Sequence, residues 1–316
     1  MLSETSQKNG GITLREILER ALGKGREEVI YGETASYIPE LGRVDKNQLG
    51  VCIYTSDGKK EAVGDYDVRF TIQSISKVIT LAVALERCGF YKVFEKVGME
   101  PSGDAFNSLI KLDLSNNYPY NPMINSGAIA IASYLTPIIS FKKMLQITSR
   151  LCMDDDITLN TDVYLSEMNH ISRNKAIAYL LESKGIIASG SVQESLDFYV
   201  RMCSLNVTAE SLANFGLVLA RGGIHPETGE QLLEEDVVQV VKTIMLTCGM
   251  YDGSGEFAVH VGVPSKSGVG GGILSVADKK MGIGIFGPSL DAKGNSIAGR
   301  SILRTLSKEL NLHIFA

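Results

Sequence analysis

The chain has 316 residues, of which 44% are apolar and 21% charged, the balance of an ordinary globular protein with ample core. A net charge of −5 gives no footprint for nucleic acid or an acidic membrane surface, so neither is expected as a partner. No run is long enough to span a bilayer and the first ten residues lack the apolar core of a signal peptide, so the expected location is the cytoplasm.

Thr13 and Glu16 form a capping-box pattern ahead of Leu14, Ile17, Leu18, Ala21 and Leu22, which share one face of a first helix. "LGVCIYTSDGKKEAVGDYDVRFTI" then reads as a hairpin around Asp57 and Gly58. In "FTIQSISKVITLAVALERCG" (70–89), Ile75, Val78, Ile79, Leu81, Ala82, Val83 and Leu85 leave almost no polar side. A helix apolar all round is a buried helix, and Gly89 offers its stop. From about Phe90 to Met250 the pattern is mostly helical, as in "SGAIAIASYL", "RNKAIAYLLESKG", "ESLDFYVRMC" and "ESLANFGLVLARGG". From Glu256 the period changes: "FAVHVGV", "GGILSVAD" and "KMGIGIFG" read as three short strands, and "GRSILRTLSKEL" as a last helix.

This order predicts an α+β fold. A five-stranded antiparallel sheet is covered by the two terminal helices, with a helical subdomain beside it and a cleft between the parts. The expected division within one domain is an α/β part (about 1–72 and 250–316) and a helical part (about 73–249). No internal repeat or low-complexity segment interrupts it.

Several chemistries are set aside. There is no G-x-x-x-x-G-K-[S/T] phosphate loop and no G-x-S-x-G elbow. His170, His225, His260 and His313 are isolated, so no metal site is expected. Cys52, Cys88, Cys152, Cys203 and Cys248 are scattered in apolar contexts and read as buried free thiols.

Ser-x-x-Lys occurs five times, at Ser56, Ser74, Ser108, Ser140 and Ser172, so the spacing alone says little. The Ser74 copy differs because it opens the buried helix. Ser74 and Lys77 share one face, one turn apart. A lysine packed there is partly desolvated, which lowers its pKa and suits it to take the proton of a serine hydroxyl. Free N–H groups at the helix start favour developing negative charge. A helix-capping serine with a snorkelling lysine is the plainer reading, and this stretch leaves both open.

"VPSKSGVGGGILSV" adds Lys266, Ser267 and Gly268 at the start of a strand pair. With the upstream Ser-x-x-Lys it resembles the layout of penicillin-binding proteins and serine β-lactamases. Further blocks are more specific: "SYIPEL" (36–41), "QSISK", "EPSGDAFNS" (100–108), "NPMINSGAI" (121–129), "LDFY" (196–199), "CGMYDGSG" (248–255) and "KSGVGGG". Together they resemble the serine-dependent glutaminase family, from about Ile12 to Leu306.

The resemblance implies a β-lactamase-like fold, hydrolysis of L-glutamine to L-glutamate and ammonia, no metal or organic cofactor, and a homodimer or homotetramer. It implies Ser74 as nucleophile, Lys77 as its base, and the backbone N–H groups of Ser74 and Val269 as the oxyanion hole. Tyr251, in "CGMYD", would carry a proton to the departing ammonia. Tyr37 would be a second tyrosine of the cleft. Glu167, in "LSEMNHISRN", would face the substrate ammonium, with Asn174 seven residues on, two turns along the same helix face. Asn125, Asn174 and Tyr199 would hold the carboxylate and side-chain amide. By itself, Asn125 reads as a helix N-cap, Glu167 as a surface charge and Tyr251 as a half-buried tyrosine. Another serine amidohydrolase or esterase on the same fold stays open. A catalytically inactive binding protein is disfavoured, because Ser74, Lys77, Tyr251 and Lys266 are all intact.

Overall fold

A computed structural model describes residues 11–103 and 118–316. Outside them lie the second half of "EPSGDAFNS" and the Ser-x-x-Lys copy at Ser108. The first helix (Leu14–Glu28) starts where the sequence indicates. The Thr13 hydroxyl accepts from the Glu16 N–H, and the Glu16 carboxylate accepts from the Thr13 N–H, closing the capping box.

Strands β1 (Gly50–Thr55) and β2 (Lys60–Gly64) form the expected hairpin, with Gly58 at φ +86° in its turn. The hairpin ends at Gly64, earlier than expected. Beyond it, β3 (Phe70–Thr71) pairs with β4 (Asn206–Val207) in a small sheet of its own. β5 (Ser265–Ser267), β6 (Gly272–Ala277) and β7 (Met281–Phe286) complete a five-stranded, wholly antiparallel sheet in the order β2-β1-β7-β6-β5.

One expected strand is corrected. "FAVHVGV" is not extended: Ser254–His260 is a short helix, and the strand in this region is the K-S-G stretch itself, β5. Alternation would place Phe257, Val259, Val261 and Val263 on one face. Instead Phe257 and Val261, four apart, are buried, while Val259 is 75% exposed. That is helical spacing, which a short apolar run does not distinguish from a strand.

Each face of the sheet takes one helical layer. On one side the first and last helices (Leu14–Glu28 and Ile297–Glu309) cover Val51, Ile53, Ile273, Ile283 and Ile285 through Ile17, Leu18, Ile302, Leu303 and Leu306. On the other side the helix Ala209–Ala220 lies directly on β7. The alternation in "MGIGIF" explains how. Isoleucines face the terminal helices, and Gly282 and Gly284 face Ala209–Ala220. A side chain at Gly284 would meet the backbone of Ala209 and Ala213, so only glycine permits this approach.

Beside the sheet, the central helix Ser76–Cys88 is buried from Ser76 through Leu85 and ends at Gly89, φ +80°. It packs against Asn125–Leu135 and Glu235–Cys248. All five cysteines are free thiols. Four are buried as expected, but Cys88, in the last turn of the central helix, is half-buried. Among the described residues no helix is long and apolar enough to cross a membrane.

Candidate active site

Ser74 sits in a single 3-10 turn, Gln73–Ile75, that leads into the central helix. Gln73 is in the left-handed region at φ +48°. Such a conformation costs a non-glycine residue about 1–3 kcal/mol, and it persists only where the surroundings over-determine it. Gln73 is held by its side chain, which donates to the Thr71 hydroxyl (3.2 Å) and accepts from Tyr37 (3.3 Å). The loop after β5 then lies against this turn. A Cβ on Gly268 would fall 2.8 Å from the Ile72 carbonyl, and one on Gly270 would overlap that of Thr71. The glycines that flank Val269 therefore bring its backbone against the Ser74 segment.

Lys77 is 1% exposed. Its Nζ donates to the Asn125 side-chain oxygen (2.8 Å) and the Met123 carbonyl (3.3 Å), and lies 5.9 Å from the centre of the Tyr199 ring. Burial disfavours the ammonium and pulls its pKa from 10.5 down to about 8. The desolvation anticipated from the sequence is therefore present.

Asn125 links this lysine to two further groups. It is the first residue of the helix Asn125–Leu135 and not its N-cap. Ile124 occupies the cap, and the Asn125 side chain points elsewhere. Its oxygen accepts from Lys77 and from the Tyr199 hydroxyl (3.2 Å), and its amide donates to the Asn174 side-chain oxygen (3.0 Å). Tyr199 is buried in the helix Val192–Cys203, and burial raises its hydroxyl well above its usual pKa.

Glu167 and Asn174 do not share a helix face. The helix Thr161–Asn169 ends with His170, whose ring bonds the Ser166 carbonyl, and a second helix, Ser172–Ser183, begins after Ile171. Seven residues of spacing conceal that break. Glu167 accepts from the Tyr37 hydroxyl (2.6 Å). Burial raises its pKa, and the Tyr37 bond partly offsets this. About half of Tyr37 is exposed, yet its hydroxyl turns inward, and burial and the Glu167 charge raise its pKa. A small apolar cluster of Ile38, Leu41, Val163, Ala35 and Val269 ties together the segments carrying Tyr37, Glu167 and the K-S-G loop.

Tyr251 opens a 3-10 turn at φ +54°, the second left-handed residue of the cluster. Gly249 is required just before it, because a side chain there would strike the Ser265 carbonyl. Burial drives the Tyr251 pKa far up, while the Ser74 side chain and the Val269 backbone, both within bonding reach, pull it back. The phenol oxygen thus lies between the proposed nucleophile and the proposed oxyanion donor.

All nine residues singled out from the sequence fall in one region: Lys77, Asn125, Asn174 and Tyr199 along one chain of bonds, Tyr37 with Glu167, and Tyr251 with Ser74 and Val269. Two neighbours were given no role of their own from the sequence. Gln73 was visible only as the first letter of "QSISK", and Lys266 only as part of the intact K-S-G block. Neither spacing indicates what these side chains touch.

An antiparallel sheet that carries a K-S-G strand beside a Ser-x-x-Lys helix start defines the serine β-lactamase-like class. Residues 32–315 match the family model described as Glutaminase. Glutaminase 2 of Clostridium perfringens is 49% identical over 306 residues, spanning 96% of this chain and 100% of that one. A glutaminase of Fusobacterium nucleatum is likewise 49% identical, with the same coverage. A Bacillus subtilis glutaminase, solved as a covalent complex with 5-oxo-L-norleucine formed from 6-diazo-5-oxo-L-norleucine, superposes with a TM-score of 0.87. It shares 37% identity, and the match covers 96% of this chain and 100% of that one. The chain belongs to the glutaminase family.

Proposed function

We propose that the protein hydrolyses the side-chain amide of L-glutamine to L-glutamate and ammonia through an acyl-enzyme on Ser74. The observation that carries the mechanism is the fully buried Lys77, one turn from Ser74, with its amine drawn down to about 8. Roughly a tenth of such an amine is unprotonated at pH 7, against less than a thousandth for an ordinary lysine.

In this reading Lys77 takes the Ser74 proton as the hydroxyl oxygen attacks the amide carbon. The Ser74 and Val269 N–H groups receive the oxyanion. Tyr251 passes the proton to the leaving nitrogen, ammonia departs, and a water reverses the steps to release glutamate. Glu167, braced by Tyr37, takes the substrate ammonium. The Asn174 oxygen is used by Asn125, which leaves its NH₂ for the substrate carboxylate, with Tyr199 beside it. The relative that forms a covalent complex with 5-oxo-L-norleucine supports this reading, since that compound is L-glutamine with its amide nitrogen replaced by carbon.

The same proposal divides the chain into an α/β part (about 1–72 and 250–316) and a helical part (about 73–249). The division is supported because every strand of the large sheet comes from the first part. It also includes assembly as a homodimer or homotetramer in the cytoplasm, which light scattering and cell fractionation would test. Ammonia release from L-glutamine, with and without Ser74→Ala, tests the chemistry. Retention of a tenth of wild-type turnover in Ser74→Ala would remove Ser74 as nucleophile.

A further inference from the structure

Lys266 is a fully buried amine for which the mechanism above has no use. β5 carries it beneath the Tyr251 turn. Its Nζ donates to the carbonyls of Gly249 (3.1 Å) and Ser267 (2.5 Å), and lies 4.4 Å from the centre of the Tyr251 ring. The groups acting on its charge are Lys77, Cys203 and Cys248, none of them a carboxylate. A buried amine without an anion is costly, and a methionine would fill the same volume without that cost.

Its contacts converge on the Tyr251 turn. The Gly249 carbonyl receives both the Lys266 amine and the Ser267 N–H (3.1 Å). Met250 donates to the Ser254 hydroxyl (3.0 Å), which donates to the Tyr251 carbonyl (2.8 Å). These bonds define the backbone of the turn, but none of them fixes the phenol ring. The ring is bounded by Lys266 and by the loop at Gly294, where a Cβ would lie 3.6 Å from Tyr251 Cε2.

We propose that Lys266 is a positioning residue for Tyr251: it clamps the Gly249 carbonyl and the face of the phenol ring, and so holds the hydroxyl between Ser74 and the Val269 backbone. The proposal rests on the reading of Tyr251 as the proton carrier. It accounts for a buried lysine in a strand that apolar residues would stabilise better, since the amine serves a geometry needed only during turnover.

The test is a double-mutant cycle on L-glutamine turnover with wild-type, Lys266→Met, Tyr251→Phe and the doubly substituted protein, each with its melting temperature. Lys266→Met is expected to leave Tm unchanged or raised and KM within about threefold. It should lower kcat by roughly 10–100-fold, the scale of a misplacement of about an ångström at a reacting group. In the Tyr251→Phe background it should cost less than threefold more. Lys266→Gln, which keeps a donor for the Gly249 carbonyl but cannot reach as far over the ring, should fall in the same direction and serves if the methionine variant does not fold. Near wild-type kcat in Tyr251→Phe would overturn the proton-carrier reading and this inference with it. A low kcat in Tyr251→Phe, combined with wild-type kcat in Lys266→Met or with fully additive losses, would overturn this inference alone.

Discussion

The Lys77 amine bonds to the neutral amide oxygen of Asn125 at 2.8 Å. A carboxylate in that place would hold the ammonium and raise its pKa, whereas an amide satisfies one N–H and leaves burial to govern the charge. The amine is consequently drawn down to about 8. Because the base is the unprotonated form, kcat/KM on L-glutamine is expected to rise with pH through about 8 and level off above it. Asn125→Asp puts a carboxylate beside Lys77 and should move that limb about 1–3 units to higher pH. The pH–rate profiles of the two proteins check this, and a flat wild-type profile between about pH 6 and 9 would remove Lys77 as the base.

Lys77 also gives a stability expectation. Its folded pKa of about 8 lies below its ordinary 10.5, so between these values the unfolded chain binds more protons than the folded one. That contribution favours unfolding below about pH 8 and is relieved as pH rises towards 10.5. Lys77→Met removes it. The variant is expected to be inactive yet to melt at or above the wild-type temperature at pH 7. A clear loss of Tm would show that the bonds to Asn125 and Met123 outweigh the cost of burying the amine.

Specificity should reside in Glu167. Replacing one partner of a buried charge pair typically costs about 2–5 kcal/mol, much of it from leaving the other charge alone. Glu167→Gln is therefore expected to raise KM for L-glutamine by well over tenfold with a smaller change in kcat. N-acetyl-L-glutamine, which lacks the ammonium, should be a poor substrate of the wild-type. L-Asparagine should be poor as well, because one methylene fewer holds its carbonyl short of Ser74 when both α-groups are docked. Equal kcat/KM for the two amides would contradict a site anchored at the α-carbon.

The hydroxyl of Tyr251 can be separated from its ring. Tyr251→Phe keeps the ring over Lys266, so KM should stay within a few-fold. Loss of a general acid–base group typically costs about 10²–10⁴-fold in rate, against about 0.5–1.5 kcal/mol for one ordinary hydrogen bond. The loss should be larger on the amide than on an activated γ-glutamyl aryl ester, whose leaving group needs no proton. Equal losses on both substrates would reduce Tyr251 to a wall of the cleft.

The sheet offers a test away from the site. Gly284→Ala places a methyl against the backbone of Ala209 and Ala213, which cannot yield without moving the whole helix off β7. Overpacking typically costs about 1–3 kcal/mol, and a clash with backbone belongs at the upper end. Chemical denaturation should show that loss. A stability change below about 0.5 kcal/mol would mean that the helix is not seated as described.

The sequence by itself determined the elements and their order. Period-3.6 stretches became helices, the Asp57-Gly58 hairpin formed, and the apolar run after Ser74 became the buried central helix, because local pattern and burial reinforce each other there. The exceptions were short or broken. "FAVHVGV" fits two periods, and the helix break between Glu167 and Asn174, where the His170 ring bonds the Ser166 carbonyl, leaves no mark in the spacing. Resemblance singled out the proposed site residues, but only the tertiary structure decided what each one touches. Asn125 serves Lys77 instead of capping its helix, Gln73 and Tyr251 take left-handed backbones, and Lys266 runs beneath Tyr251. Most of those facts depend on contacts between segments distant in the chain, such as Lys77 with Asn125, 48 residues apart, and Tyr37 with Glu167, 130 apart. Hydrophobic period records which way a side chain faces relative to its own element. It carries no record of the neighbour that desolvates a lysine or holds a strained turn, and the chemistry proposed for this site depends on those neighbours.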